Sequence, residues 1–158
     1  MCAQTYPNWR FVHADVNHPY YNNVVGEHSP ESYPLPFDAE SFDLVIANSL
    51  FTHLRPQVVA HYLQEVARLL SPVGVAWLTF YVASIATERF QHQAAGYLTS
   101  DSNMHESAIA FTTKDAKALL LGSGLDLQSF IPGTWLTGAK QRRNQHEQDC
   151  FVLRRKLA

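Results

Sequence analysis

Cysteine is scarce: among 158 residues there are 2, Cys2 and Cys150, too few and too far apart for a disulfide framework. Such usage fits a reducing compartment. Long apolar runs are missing too, and none approaches the roughly 20 residues that would cross a bilayer. The opening stretch from Met1 to Pro7 has neither the charged start nor the apolar centre of a signal peptide. Positive charge is not in excess. The net charge is −2, and no basic cluster is longer than Arg142-Arg143 or Arg154-Arg155-Lys156, which speaks against a nucleic-acid binder. No glycine-rich phosphate loop is present, so an unrelated nucleotide-binding α/β domain is set aside. The 8 histidines, at positions 13, 18, 28, 53, 61, 92, 105 and 146, form no closely spaced pair on one helix face, and no metal site is expected. What remains is a single cytoplasmic domain over residues 1–158 that meets neither membrane nor nucleic acid. Its composition, 46% apolar and 16% charged, is that of a globular chain.

The pattern along the chain predicts an α/β domain. Phe11 to Asp15 reads as a short strand, followed by an irregular loop from Val16 to Glu40 rich in Asn, His, Pro, Ser and Tyr. Phe42 to Ala47 is a continuous apolar run, the mark of a strand covered on both faces. Pro56 suits the first turn of a helix. Val59, Tyr62, Leu63, Val66, Leu69 and Leu70 then recur at helical spacing, and Ser71-Pro72 ends the run. Val75 to Val82 is a second buried strand, which completes a parallel crossover unit. From Ala83 to His105 the pattern is mixed, with a helix expected through Glu88-Arg89-Phe90. Thr113 is the expected N-cap of a helix reaching Leu121, stopped by Gly122 and Gly124. Leu125 to Ile131 and Cys150 to Arg155 read as two late strands joined by a long hairpin connection. The order β-loop-β-α-β-α-β-β predicts three layers.

Several segments, in order and spacing, resemble one family. Leu35-Pro36-Phe37 leads to Ser41-Phe42-Asp43-Leu44-Val45, and Ala47-Asn48-Ser49-Leu50-Phe51-Thr52-His53-Leu54 follows the strand. Tyr62-Leu63-Gln64-Glu65-Val66-Ala67-Arg68-Leu69-Leu70-Ser71-Pro72-Val73-Gly74 comes next, and Trp135 precedes a Gln148-Asp149 pair. Together they resemble the class I S-adenosylmethionine (SAM) methyltransferases. The resemblance implies a Rossmann-like, mostly parallel sheet with a C-terminal antiparallel hairpin, in the strand order third, second, first, fourth, fifth, seventh, sixth. Two departures stand out. Val73 replaces the usual glycine after the proline, so the backbone there is expected to avoid positive φ. Nothing before Phe11 supplies the family's first two strands or the glycine-rich loop between them.

The resemblance assigns candidate residues, each with a plainer alternative. Asp15 and Val16 stand where the third strand ends and imply an adenine contact; an Asp that caps a turn is the alternative. Ala47, Asn48 and Ser49 lie at the carboxyl end of a buried strand, where ligands gather in open α/β sheets. The resemblance implies that they line the methionine part of SAM, the alternative being that Asn48 and Ser49 only terminate the strand. His53 is the candidate general base, or a structural and substrate-lining residue, since methyl transfer mainly needs alignment. Tyr20, Tyr21, Tyr33 and Trp135 are candidate substrate-wall aromatics, equally explained by packing.

The implied activity is SAM-dependent methyl transfer to a small-molecule or glycan-like acceptor. The alternative is a truncated, non-catalytic fragment or interaction module. Without the first two strands, the Phe42–Ala47 strand is expected to have an open edge. Either the Phe11–Asp15 strand moves in beside it or two chains pair across it, so a homodimer is expected.

Overall fold

The computed structural model describes residues 5–18, 26–83, 87, 89–94, 97–101, 103, 107–136 and 146–156. Strand β1 (Phe42–Ala47) and strand β2 (Leu70–Phe80) are adjacent and parallel, joined through a short 3-10 turn (Phe51–His53) and helix α1 (Pro56–Leu69). Pro56 opens α1, where its missing N–H costs nothing. Val59, Leu63, Val66 and Leu70 are all buried in the main core, as the spacing predicts.

There is no loop between α1 and β2. Leu70 caps the helix and already pairs with Phe42. Leu44 next pairs with Val75, so five residues of β2 pass against two of β1 in a bulge. This excess holds Pro72, which has no N–H for a ladder, and Val73, which avoids positive φ. Gly74 is buried against β1; a Cβ there would stand 2.9 Å from the Phe42 carbonyl oxygen. The strand therefore starts five residues before the expected Val75. It ends at Phe80, and Val82–Ala83 departs as β3 into a second sheet.

Helix α2 (Thr113–Gly122) is capped by Thr112, not by the expected Thr113. Thr112 keeps extended backbone (φ −68°, ψ 154°) and accepts the Asp115 N–H at 3.1 Å, while Thr113 is already helical. Gly124 takes the left-handed φ of +79° that ends this segment. Strand β7 (Leu125–Ile131) and strand β8 (Asp149–Arg155) form the expected antiparallel hairpin. The main sheet runs β1-β2-β8-β7, which reproduces the fourth, fifth, seventh and sixth positions of the implied order. Both helices pack on one face of it, around a shared core. On the other face Leu44 and Ile46 are 55% and 63% exposed. No helix covers that face among the described residues, so two of the three expected layers are seen.

Two expectations fail. Phe11 to Asp15 forms no strand; just beyond it Val16 makes a parallel bridge with His28. The aromatic side chains of Tyr6, Trp9 and Phe11 gather on one another, and with no ladder partner the segment stays irregular. Nor is there a helix at Arg89-Phe90: Thr87 and Phe90 exchange backbone hydrogen bonds across a tight turn, and Glu88 lies outside the described residues. Instead β4 (His92–Ala94), β5 (Tyr97–Thr99) and β6 (Ile109–Thr112) join β3 in a small sheet of order β3-β6-β5-β4.

Candidate functional site

At the carboxyl end of β1 the chain turns sharply. Ser49 adopts φ +55°, a left-handed conformation unusual for a side-chain-bearing residue. The turn hands the chain to the 3-10 segment, where the His53 N–H donates to the Leu50 carbonyl at 3.0 Å. Ser49 is tied from below. Its N–H donates to Thr79 Oγ1 at 2.8 Å, and its own hydroxyl accepts Gln148 Nε2–H at 2.6 Å.

Beside this turn lies a cavity of about 670 Å³, within the roughly 300–1,000 Å³ of small-molecule sites. Val16 and Leu35 come from the irregular segment, Ala47 and Ser49 from the end of β1, Phe51 and His53 from the 3-10 turn. Tyr62 and Val66 of α1 close the far side. The lining is mainly apolar and, among the described residues, contains no carboxylate. Its titratable groups are His18, His53 and Tyr62. Burial, reinforced by Tyr33 and Glu65, pushes the Tyr62 phenol up, so Tyr62 stays a protonated donor. His18 Nε2–H donates to the His53 carbonyl at 3.3 Å, which ties the N-terminal segment to the 3-10 turn.

Of the residues singled out from the sequence, Val16, Ala47, Ser49 and His53 meet at this cavity. Asp15 and Asn48 flank it without lining it; the Asp15 carbonyl accepts the His28 N–H at 3.2 Å. Tyr33 stacks near His28, and its carbonyl accepts from His61 Nε2 at 2.7 Å. Trp135 sits elsewhere, packed edge-on against Tyr81 and Phe90, with its indole N–H donated to Asp149 Oδ2 at 2.8 Å. Tyr20 and Tyr21 lie outside the described residues. Among the described residues no group of three or more His, Cys, Asp or Glu could hold a metal ion, and no helix is long and apolar enough to cross a membrane.

The sequence reading missed His18, Tyr62 and Leu54 as cavity residues and Thr79 and Gln148 as supports. Thr79 carried a usable mark, a hydroxyl near the end of an otherwise apolar strand. The Leu35-Pro36-Phe37 wall has its own fastening. Glu65 accepts the Leu35 N–H at 2.7 Å, while Arg68 donates to the Phe37 and Leu35 carbonyls at 2.8 and 2.9 Å and grips Glu65 through two nitrogens. Hydrogen bonding from Arg68 holds the Glu65 carboxyl below its ordinary range, against the opposing effect of burial.

Comparison with known proteins bears on the fold that carries this site. Residues 5–78 match the family model of the methyltransferase domain. A SAM-dependent methyltransferase from Methanosarcina mazei superposes with a TM-score of 0.57 at 19% identity, over 89% of this chain and 74% of that one. The 1,6-didemethyltoxoflavin-N1-methyltransferase of Burkholderia thailandensis, solved with 1,6-didemethyltoxoflavin and S-adenosylhomocysteine, gives 0.53 at 12% identity, over 81% of this chain and 48% of that one. A SAM-dependent methyltransferase from Leishmania major gives 0.52 at 15% identity, and there this chain covers 43% of the relative's length. The chain thus spans less than half of two of these relatives, and at such identities the likeness is one of fold.

Proposed function

We infer that this chain carries the C-terminal part of a class I SAM-dependent methyltransferase domain, the family whose model its residues 5–78 match, and that its cavity is the cofactor-facing wall. The observation that carries this reading is the convergence of Val16, Ala47, Ser49 and His53 on one cavity at the carboxyl end of β1. An apolar floor of Leu50, Phe51 and Leu54 suits the flat face of an adenine. The fit is partial, because neither a glycine-rich loop nor a ribose-binding carboxylate belongs to the lining. SAM, when bound, supplies an electrophilic methyl group. This chain's part is alignment, which alone accounts for much of such a rate. His53 lines the wall beside the cofactor face, where it contacts the acceptor or takes its proton. The acceptor is a small molecule or a glycan-like group.

Titration calorimetry with S-adenosylhomocysteine tests the reading. Micromolar binding is expected; no heat at millimolar ligand would replace it with the second reading, a non-catalytic fragment. In the same series, His53→Ala should leave that affinity and Tm unchanged while removing turnover of any acceptor found. A drop of several degrees in Tm would make His53 structural. The open β1 edge further supports a homodimer, since no described residue of the N-terminal segment occupies that edge as a strand.

A further inference from the structure

Ser49 is held in an unfavourable conformation by groups far away in sequence. Its φ of +55° is one that side-chain-bearing residues avoid and glycine adopts freely. No glycine is present, so the surroundings must impose it. Thr79, only 1% exposed, accepts the Ser49 N–H at 2.8 Å and gives its single hydroxyl proton to Gln148 Oε1 at 2.5 Å. That fixes the amide's orientation: with Oε1 accepting, Nε2 faces Ser49 Oγ at 2.6 Å. A longer contact, 3.5 Å, runs from Nε2 to the Tyr81 hydroxyl. Gln148 itself is anchored where β8 begins. The neighbouring Asp149 is buried and accepts the Val82, Gly133 and Trp135 N–H groups, each at 2.8 Å, and Glu147 pairs with Arg89.

We propose that Gln148 is a positioning residue: through Thr79 and Ser49 Oγ it locks the Ser49 turn in its left-handed form and so sets the cofactor-facing wall of the cavity. The second half of this statement rests on the cavity being the cofactor site; the lock itself does not. One hydroxyl and one amide clamp a turn that follows β1 to the start of the last strand, so the wall's shape depends on the C-terminal hairpin being docked.

Gln148→Met tests it, because the side chain keeps its length but has no amide to accept from Thr79 or to donate to Ser49 Oγ. Amide exchange at Ser49, followed by NMR in the whole chain, should speed up by about tenfold, the scale of the left-handed penalty for a non-glycine residue. The affinity for S-adenosylhomocysteine should fall by a similar factor, with Tm little changed. Adding Ser49→Gly, which takes that φ without help, should restore the affinity to within about twofold. If Gln148→Met folds poorly, Thr79→Val is the substitute; it removes the acceptor of the Ser49 N–H and keeps the shape. Unchanged Ser49 exchange in these variants would overturn the lock. Faster exchange without loss of affinity, or affinity that Ser49→Gly does not restore, would overturn its role in the wall. If the parent chain binds no S-adenosylhomocysteine, the cofactor reading falls, and Ser49 exchange still decides the lock.

Discussion

Glu65 and Arg68 do more for the fold than their place in a family motif suggests. Both sit on α1, three residues apart, and together they satisfy one N–H and two carbonyls of the Leu35–Phe37 wall. Arg68→Ala would strand the two carbonyls and leave the nearly buried Glu65 carboxylate without its cation. Arg68 is itself a third exposed, so the charge effect is partly screened. A loss of about 2 kcal/mol is expected from urea unfolding, and a loss below about 0.5 kcal/mol would mean the wall holds without it. The pH dependence has a definite sign. The folded Glu65 pKa lies below its ordinary value of 4.5, so its contribution is fully present above that value. It disappears as pH falls through the depressed folded value. Replacing Glu65 with Gln should flatten this part of the acid limb of a stability profile; an unchanged limb would assign the acid sensitivity to other carboxylates.

At the level of elements, the bulge at the start of β2 explains why a glycine stands at position 74 when the preceding Val73 needs no special conformation. A Cβ at Gly74 would meet the Phe42 carbonyl oxygen at 2.9 Å, Leu70 Cδ2 at 3.0 Å and the Ser71 nitrogen at 3.1 Å. Two of these are backbone atoms locked in the parallel ladder, so relief must come from moving β1 against β2. Gly74→Ala should therefore cost about 1–3 kcal/mol, read from chemical denaturation. A neutral result would show that the two strands separate easily at this end. The same comparison explains what was legible. Helix α1 could be read because its apolar spacing matches one period, and β1 because its apolar run is continuous, although only one of its faces is covered by the described residues. The β3-β6-β5-β4 sheet could not, because strands of two to four residues are too short to display any period.

For the whole molecule the feature that matters is the outer edge of β1, which no described residue pairs. This strand ends the main sheet, and Leu44 and Ile46 are exposed on its uncovered face beside that edge. Edges of this kind are normally paired, covered or charged. Two copies joined antiparallel through Phe42–Ala47 would make a self-complementary contact. Light scattering is then expected to give twice the chain's 17.9 kDa, and Ile46→Lys to return it to the single mass. A monomer at every concentration tried would rule the pairing out.

The local sequence determined the elements whose neighbours in space are also their neighbours in the chain. Pro56 and the apolar stripe from Val59 to Leu70 define α1, and the apolar runs on either side of it define a parallel pair, with no need of distant information. Tertiary structure decided the rest. Phe11 to Val12 has strand-like residues but no ladder partner among the described residues, and a strand without a ladder is not stable. Trp135 looked like a substrate wall, yet Asp149 claimed its indole N–H. Ser49 could be placed at the end of β1 from sequence alone. Its left-handed turn could not, because the groups that impose it, Thr79 and Gln148, lie 30 and 99 residues away and meet it only once the last strand has docked.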